Sequence, residues 1–260
     1  MKKSKGIIIL IVVLLIYSLI MFFLFSSTQE IKNPIDNISK KETKENKYYL
    51  VTDNSEFEYY YNSFKKISTY NIEKQDKFNI YVNNKMLGEY KLKYGTTWNL
   101  FDENSNFKMY NGKLLAITNN LNPKVRDFKI REINEKDKEL LINQFVVQTF
   151  DYISSNEVVD IDLDNNGIED EIICLSSMQE SEDSNNHFNV VVIKLNNEII
   201  TLIEEKGDSA LYVYNIYAII NIFDRVQDNI IISRTEGYDS DEPEINEFIY
   251  HFENQQYVIE

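Results

Sequence analysis

The chain has 260 residues, of which 43% are hydrophobic and 13% aromatic, and its 27 basic and 42 acidic residues give a formal net charge of −15. This composition excludes a disordered chain, and the negative charge argues against nucleic-acid binding, which needs clustered Lys and Arg to neutralise phosphates. The one cysteine, Cys174, rules out an intrachain disulfide and a Cys-rich zinc site.

The first predicted element is a membrane-spanning helix over residues 7–25, which carry no charge. As a helix they extend about 28 Å, close to the roughly 30 Å hydrocarbon core of a bilayer. Three lysines lie within residues 1–6, so the positive-inside rule places the N-terminus in the cytoplasm. A cleaved secretory signal is the alternative, although residues 23–27 offer no small-x-small cleavage site. Residues 1–25 are thus predicted to be a short cytoplasmic tail and a single-pass anchor in the cell membrane, with the C-terminal part extracellular.

The exported part is predicted to consist of three sections. Residues 26–47 are polar, lack aromatic residues and contain Pro34, which is typical of a flexible tether. Residues 48–150 combine helical and strand patterns, and residues 151–260 are rich in strand patterns. The predicted fold class is α+β, with a strand-rich ectodomain behind one N-terminal transmembrane helix.

In the first folded section, apolar residues at helical spacing predict a helix over residues 57–67. Residues 78–92 have the pattern of a β-hairpin that turns at Asn83 and Asn84. Further strands are predicted at 113–118 and 128–133, followed by a helix that the segment 134–137 caps and that continues to Phe145.

After residue 151, short β-branched and aromatic runs alternate with Asn, Asp, Gly and Ser. This pattern predicts an antiparallel sheet or a partial propeller-like array in the C-terminal half. Asn196-Asn197 and Asn254-Gln255 are predicted hairpin turns. The predicted strands cover residues 158–163, 168–175, 188–195, 199–204, 211–216, 229–233, 248–252 and 257–259.

The segment DLDNNGIED at residues 162–170 has the spacing of a calcium-binding loop. Calcium takes six to eight oxygen ligands, and side chains at positions 1, 3 and 5 converge on one ion when the backbone turns sharply at position 6. Gly167 occupies position 6 and can adopt a positive φ. The predicted ligands are Asp162, Asp164, Asn166, the backbone carbonyl of Ile168, and Asp170.

The loop is not an EF-hand, because Ile173 stands at position 12, where an EF-hand has a bidentate Glu, and because strand patterns flank it. It resembles the strand-loop-strand calcium loops of FG-GAP or VCBS-type repeats in bacterial surface proteins. That resemblance implies a calcium-stabilised β ectodomain with the same five ligands. Without the bidentate Glu, the predicted affinity is weak, roughly 0.1 to 1 mM. An Asp- and Asn-rich β-turn without metal is the alternative.

Other residues whose side chains could take part in catalysis or binding have simpler interpretations. Asp239 and Asp241 lie in an acidic segment that is predicted to be a solvated loop, with a second metal or ligand site as the alternative. His187 and His251 are predicted to be ordinary surface or strand residues. Cys174 is predicted to be a small buried side chain in a strand. Trp98 and the tyrosines are predicted to be core and sheet-face residues rather than sugar-stacking platforms.

The predicted function is that of a membrane-anchored extracytoplasmic binding or scaffold protein without catalytic activity. Its predicted partners are the membrane, through the N-terminal helix, and a cell-envelope polymer or a surface protein. The alternatives are a membrane-tethered cell-envelope hydrolase, whose catalytic carboxylates the sequence does not identify, and an extracellular ligand-sensing accessory subunit. No catalytic or cofactor-binding residue is predicted apart from the calcium ligands.

Overall fold

The computed structural model describes residues 48–60, 63–67, 72, 77–118, 121, 123–145, 152–180, 185–195, 198–207, 212–222, 227–236, 243–253 and 256–259. These residues belong to a compact unit of residues 47–260, and all the strand pairs and cores below lie within it. The predicted membrane-spanning helix and the predicted tether over residues 26–47 lie outside the described residues. Among the helices that the structure does describe, none is long and apolar enough to cross a membrane.

The described part of the chain forms eighteen strands, all in antiparallel pairs, and one helix. The N-terminal sheet has eight strands in the order β3-β2-β1-β8-β4-β5-β6-β7. Its strands are β1 (Tyr48–Val51), β2 (Glu56–Tyr60), β3 (Ser63–Lys66), β4 (Phe78–Val82), β5 (Lys85–Tyr94), β6 (Trp98–Phe101), β7 (Phe107–Lys108) and β8 (Leu114–Thr118).

The other two sheets have five strands each. The middle sheet has the order β18-β17-β16-β15-β9, and the outer sheet has the order β10-β11-β12-β13-β14. Their strands are β9 (Lys124–Val125), β10 (Ile130–Arg131), β11 (Tyr152–Ile161), β12 (Asp170–Glu180), β13 (Asn185–Leu195), β14 (Glu198–Gly207), β15 (Tyr212–Asn221), β16 (Asn229–Glu236), β17 (Glu244–Glu253) and β18 (Gln256–Ile259). The antiparallel sheet predicted for the C-terminal half is confirmed, and the two predicted hairpin turns lie outside the described residues.

The middle sheet is covered on both faces. One core joins Ile230 and Ile232 of β16 to the inner face of the outer sheet. A second core joins Ile231 of the same strand to β1, β2 and β8 of the N-terminal sheet. Because successive side chains of a strand point to opposite faces, a strand between two layers needs apolar residues at every position. The continuous run Ile230–Ile232 follows from this packing.

One helix, α1 (Glu135–Phe145), packs on the other face of the outer sheet through Leu141 and Phe145. Asn134 caps it as predicted, because its side-chain oxygen accepts a hydrogen bond from the Asp137 backbone N–H at 3.0 Å. The Asp137 carboxylate accepts the Asn134 N–H at 3.2 Å in return. This reciprocal arrangement satisfies two backbone donors that a helix start otherwise leaves unpaired.

The helix predicted over residues 57–67 is wrong, because β2 and β3 form a hairpin there. Phe57 and Tyr59 are buried while Glu58 between them is not, which is the two-residue period of a strand. Phe64 lies opposite Tyr59 in the pairing, and their rings meet edge to face at 5.0 Å. Aromatic residues favour strands, and here the cross-strand pairing outweighs the helical spacing.

Candidate metal site

The predicted calcium loop connects β11 to β12, which pair from Tyr152 and Met178 down to Ile161 and Asp170. The strand-loop-strand arrangement predicted from the sequence is therefore present. Apolar residues on both strands are buried in the cores on either side of the outer sheet. The loop is thus held at the end of a well-packed hairpin.

The hairpin brings together three of the predicted ligands. One carboxylate oxygen from each of Asp162, Asp164 and Asp170 lies within 4.8 Å of the others. Asp162 and Asp164 are half-buried, whereas Asp170 is only 2% exposed. The Asp170 carboxylate accepts the Leu163 backbone N–H at 3.0 Å, which fixes the end of the loop against its beginning. Among the described residues, these are the only three acidic, His or Cys side chains that lie close enough together to hold a metal ion.

The backbone of the loop curls around the Asp162 carboxylate. The backbone N–H groups of Asn166 and Gly167 donate to its two oxygens at 3.0 and 2.9 Å. Gly167 has a φ of +86°, as its position in the motif predicts. Asn165 has a φ of +57°, in the left-handed region that Asn tolerates better than most residues. The two left-handed residues let the loop reverse direction within a few residues.

Asn166 and Ile168 occupy different positions relative to the carboxylates. The Asn166 side-chain nitrogen donates to Asp164 Oδ2 at 3.0 Å, and its side-chain oxygen accepts the Ile168 N–H at 2.7 Å. The Asn166 amide is thus in contact with Asp164, while the Ile168 side chain is largely exposed. The ligand roles of the Asn166 side chain and the Ile168 carbonyl stay predictions.

Arg126, which the sequence analysis did not single out, fastens the loop to the middle sheet. Its guanidinium donates to the Asp162 carbonyl at 3.1 Å and to the Asn165 side-chain oxygen at 3.3 Å. The same group forms an ion pair with Asp228 at 2.7 Å. The Asp228 N–H in turn donates to the Leu163 carbonyl at 3.1 Å. The segment 139–193 contains no Lys or Arg, so this cation comes from a distant part of the chain.

Burial dominates the electrostatics beside the loop. The Asp228 side chain is fully buried, and burial raises its pKa, against the opposing effects of the Asn221 amide and the Arg126 guanidinium. Burial also raises the pKa of Tyr257, and the negative charges of Asp228, Asp170 and Asp164 act in the same direction. The Tyr257 hydroxyl donates to the Asp228 carbonyl at 3.2 Å. Burial therefore penalises charge beside the loop, and the nearby carboxylates add to the cost of further negative charge.

A second polar cluster, which sequence reasoning missed, lies at a β-bulge in β15. The pairing of β15 with β16 shifts between Ile216 and Ala218, so Tyr217 and Ala218 both face the N-terminal sheet. The Tyr217 hydroxyl donates to Asp53 Oδ2 at 2.8 Å. No local sequence signal marks a bulge of this kind, because it depends on pairing between strands. The bulge thus directs the Tyr217 side chain toward the β1–β2 turn.

Two charged side chains satisfy the backbone of the bulge. Glu157 Oε2 accepts the Ile216 N–H at 2.8 Å, and the Lys113 amine donates to the Ile216 carbonyl at 3.2 Å. Burial raises the pKa of Glu157, with the Ile216 N–H and Lys113 opposing the shift. The charged groups in this cluster have protein partners, which suits a structural role.

A pH-dependent stability effect is expected from Glu157. Its raised pKa means that the folded state binds the proton more tightly than the unfolded state, so its contribution to the free energy of unfolding falls as pH rises above about 4.5. We expect Glu157→Gln to be more stable relative to the natural chain at pH 7 than at pH 4, because Gln retains an acceptor for Ile216 without a buried charge. Urea unfolding at the two pH values measures this, with the exposed Glu244→Gln as the matched control. An unchanged difference between the two pH values would contradict the prediction.

The other residues considered as candidates lie in strands or outside the described residues. Cys174 is fully buried in β12, and Trp98 is buried in the core of the N-terminal sheet, both as predicted. His187 and His251 lie on β13 and β17, in different sheets. Asp239 and Asp241, in the acidic segment, lie outside the described residues.

Comparisons of the chain with protein-family models, with curated proteins and with solved structures give no match.

Proposed function

We propose that the chain is a membrane-anchored extracytoplasmic binding or scaffold protein whose β-rich domain is stabilised by calcium at the loop 162–170. The observation that carries the calcium proposal is the convergence of Asp162, Asp164 and Asp170, whose carboxylate oxygens lie within 4.8 Å of one another. Two unit charges at this separation repel by about 1 to 3 kcal/mol for effective dielectric constants between water and a protein surface. A bound divalent cation removes this repulsion.

The chemistry of the donors favours calcium over other metals. The three side chains offer only carboxylate oxygens, the ligands that calcium and magnesium prefer, and no nitrogen or sulfur. Calcium tolerates irregular geometry and more ligands, whereas magnesium demands a near-ideal octahedron and keeps several waters. In the bound state, the carboxylates of Asp162, Asp164 and Asp170 hold the ion, and Asn166 and the Ile168 carbonyl complete the set. These ligands are the ones that the resemblance to FG-GAP or VCBS-type loops implies.

The anchor proposal comes from the uncharged segment 7–25 and the lysines before it. A tether of the length of residues 26–47 gives the folded domain a root-mean-square reach of roughly 25 Å from the membrane. Alkaline extraction of membranes from expressing cells tests the anchor: a membrane-spanning chain stays in the pellet. Release of the intact chain into the supernatant would contradict it.

A calcium titration of the fragment 48–260 tests the metal site. We expect Asp164→Ala to weaken calcium binding by about tenfold or more, because affinity in such loops depends on the number of charged ligands. The matched control is Glu169→Ala, which removes an exposed carboxylate of the same loop that does not belong to the cluster. Equal calcium affinity of Asp164→Ala and the natural fragment would contradict the site, and circular dichroism is the check that both variants fold.

A further inference from the structure

Exposed apolar side chains are concentrated in one part of the described chain. The arm, defined here as residues 85–109, comprises β5, β6, β7 and their connections. Ten large hydrophobic side chains are exposed in the described residues, and five of them lie in the arm. These five are Met86, Leu87, Tyr94, Phe107 and Met109, with Met109 at 79% exposure. The other five are distributed over the rest of the domain.

In the part of the chain that the structure describes, no other layer covers the face of the arm on which several of these side chains lie. Pairing places Lys91 beside Phe101 and Phe101 beside Phe107 on one face. Met86 lies on this face too, because it pairs with Tyr81, and the Tyr81 side chain points toward the middle sheet. The core between the N-terminal sheet and the middle sheet includes no residue of β5, β6 or β7. This face therefore extends beyond the middle sheet.

The arm has four lysines against three acidic residues, a net charge of +1, in a chain of net charge −15. It contains four lysines, Lys85, Lys91, Lys93 and Lys108, all exposed. Within the described residues, none of these amines forms an ion pair. Two of the arm's acidic side chains, Glu89 and Glu103, are paired with Lys77 outside the arm. The Lys93 amine lies 5.1 Å above the Phe101 ring, so cationic and aromatic groups are interleaved.

We propose that the arm docks on the surface of a membrane that contains anionic lipids, with Phe107 and Met109 at the level of the headgroups. The inference rests on the proposed anchor, which keeps the domain within reach of a bilayer. Unpaired lysines complement anionic headgroups, and exposed aromatic and aliphatic side chains gain by burial at the boundary with the acyl chains. A polypeptide of acidic residues alone would pair with the lysines but leave the exposed Met and Phe side chains in water, so the lipid surface fits both features.

Lipid quenching of a site-specific fluorescent label on the full chain tests the proposal. The label is placed at Met109→Cys in the arm, and at Glu198→Cys, an exposed position of β14, as the matched control. Cys174 is fully buried and does not compete for the label. Each chain is inserted into nanodiscs of phosphatidylcholine alone or of phosphatidylcholine with phosphatidylglycerol, both containing brominated lipids. We expect strong quenching only for the label at 109 in the anionic discs.

The second part of the experiment removes positive charges from the arm. Lys91→Gln with Lys93→Gln should lower the ratio of docked to free domain about 30-fold, since each basic residue near an anionic surface contributes about 1 kcal/mol. Equal quenching of the labels at 109 and 198 would overturn the proposal. Quenching at 109 that is the same in both kinds of disc and unchanged in the double lysine variant would also overturn it. A response of the label at 109 to polyglutamate but not to anionic discs would overturn it in favour of an acidic protein partner.

Different results would contradict membrane docking of the arm and membrane anchoring of the chain. A chain that stays in solution without detergent contradicts the anchor. The same labelled chains, added to preformed anionic and zwitterionic vesicles, then test the arm by itself. Binding to the anionic vesicles alone supports the arm, and no binding to either kind refutes it.

Discussion

Replacing Arg126 by Gln is expected to lower the free energy of unfolding by about 3 kcal/mol, because a buried carboxylate loses its cation. The Asp228 side chain is fully buried, and Arg126 Nη1 lies 2.7 Å from it. Without the guanidinium, the side-chain contact of Asp228 with the Asn221 amide at 2.9 Å remains. The loop also loses the hydrogen bonds from Arg126 to Asp162 and Asn165. Urea unfolding of the fragment 48–260 at pH 7 measures the loss.

A double-mutant cycle separates the ion pair from the other contacts of Arg126. Asp228→Asn removes the buried charge and keeps a side chain of the same size. If the pair is coupled as the 2.7 Å contact indicates, Arg126→Gln costs much less in the Asp228→Asn background than in the natural chain. Strictly additive losses would show that Arg126 acts only through its bonds to the loop.

The second large effect is expected at the middle sheet, where Ile231→Ala and Ile232→Ala should each cost about 2 to 5 kcal/mol. Ile231 and Ile232 are fully buried but belong to different cores, one on each side of β16. The matched control is Ile245→Ala on the neighbouring strand β17, where the side chain is 37% exposed. We expect the control to cost less than about 1 kcal/mol.

The pair of substitutions tests the stacking of three sheets. A sheet that is covered on one face only would show one large and one small loss at these consecutive positions. A loss below about 1 kcal/mol for Ile231 would contradict the packing of the middle sheet on the N-terminal sheet. The same result for Ile232 would contradict its packing on the outer sheet.

Features that depend on neighbouring residues were predictable from the sequence. Asn83 and Asn84 adopt φ values of 50° and 63° between β4 and β5, as a tight hairpin turn requires. Asn134 caps α1 because its short side chain reaches the N–H of Asp137, three residues later. Gly167 has the positive φ that position 6 of the loop demands. Each of these follows from chemistry within a few residues.

Features that depend on tertiary pairing were not predictable in this way. Arg126 is 102 residues away from Asp228 in sequence, and nothing around either residue marks the ion pair. Tyr217 faces Asp53 only because of a bulge between two strands. The incorrect helix over 57–67 has the same origin, since its apolar residues match a helical period but bury their side chains by pairing strands. Local patterns specify turns and caps, whereas the arrangement of sheets decides which distant side chains meet.

The most direct test of the calcium proposal is a thermal melt of the fragment 48–260 in EDTA, in about 10 mM calcium and in about 10 mM magnesium. Ligand binding to the folded state alone raises its stability by RT ln(1 + [L]/Kd), about 1.4 to 2.7 kcal/mol when about 10 mM calcium is 10 to 100 times a Kd of roughly 0.1 to 1 mM. For a domain of this size, we expect calcium to raise the melting temperature by roughly 3 to 11 °C. The rise should exceed that with magnesium and disappear in Asp164→Ala. An unchanged melting temperature, or the same rise in Asp164→Ala, would contradict calcium binding at the cluster of Asp162, Asp164 and Asp170.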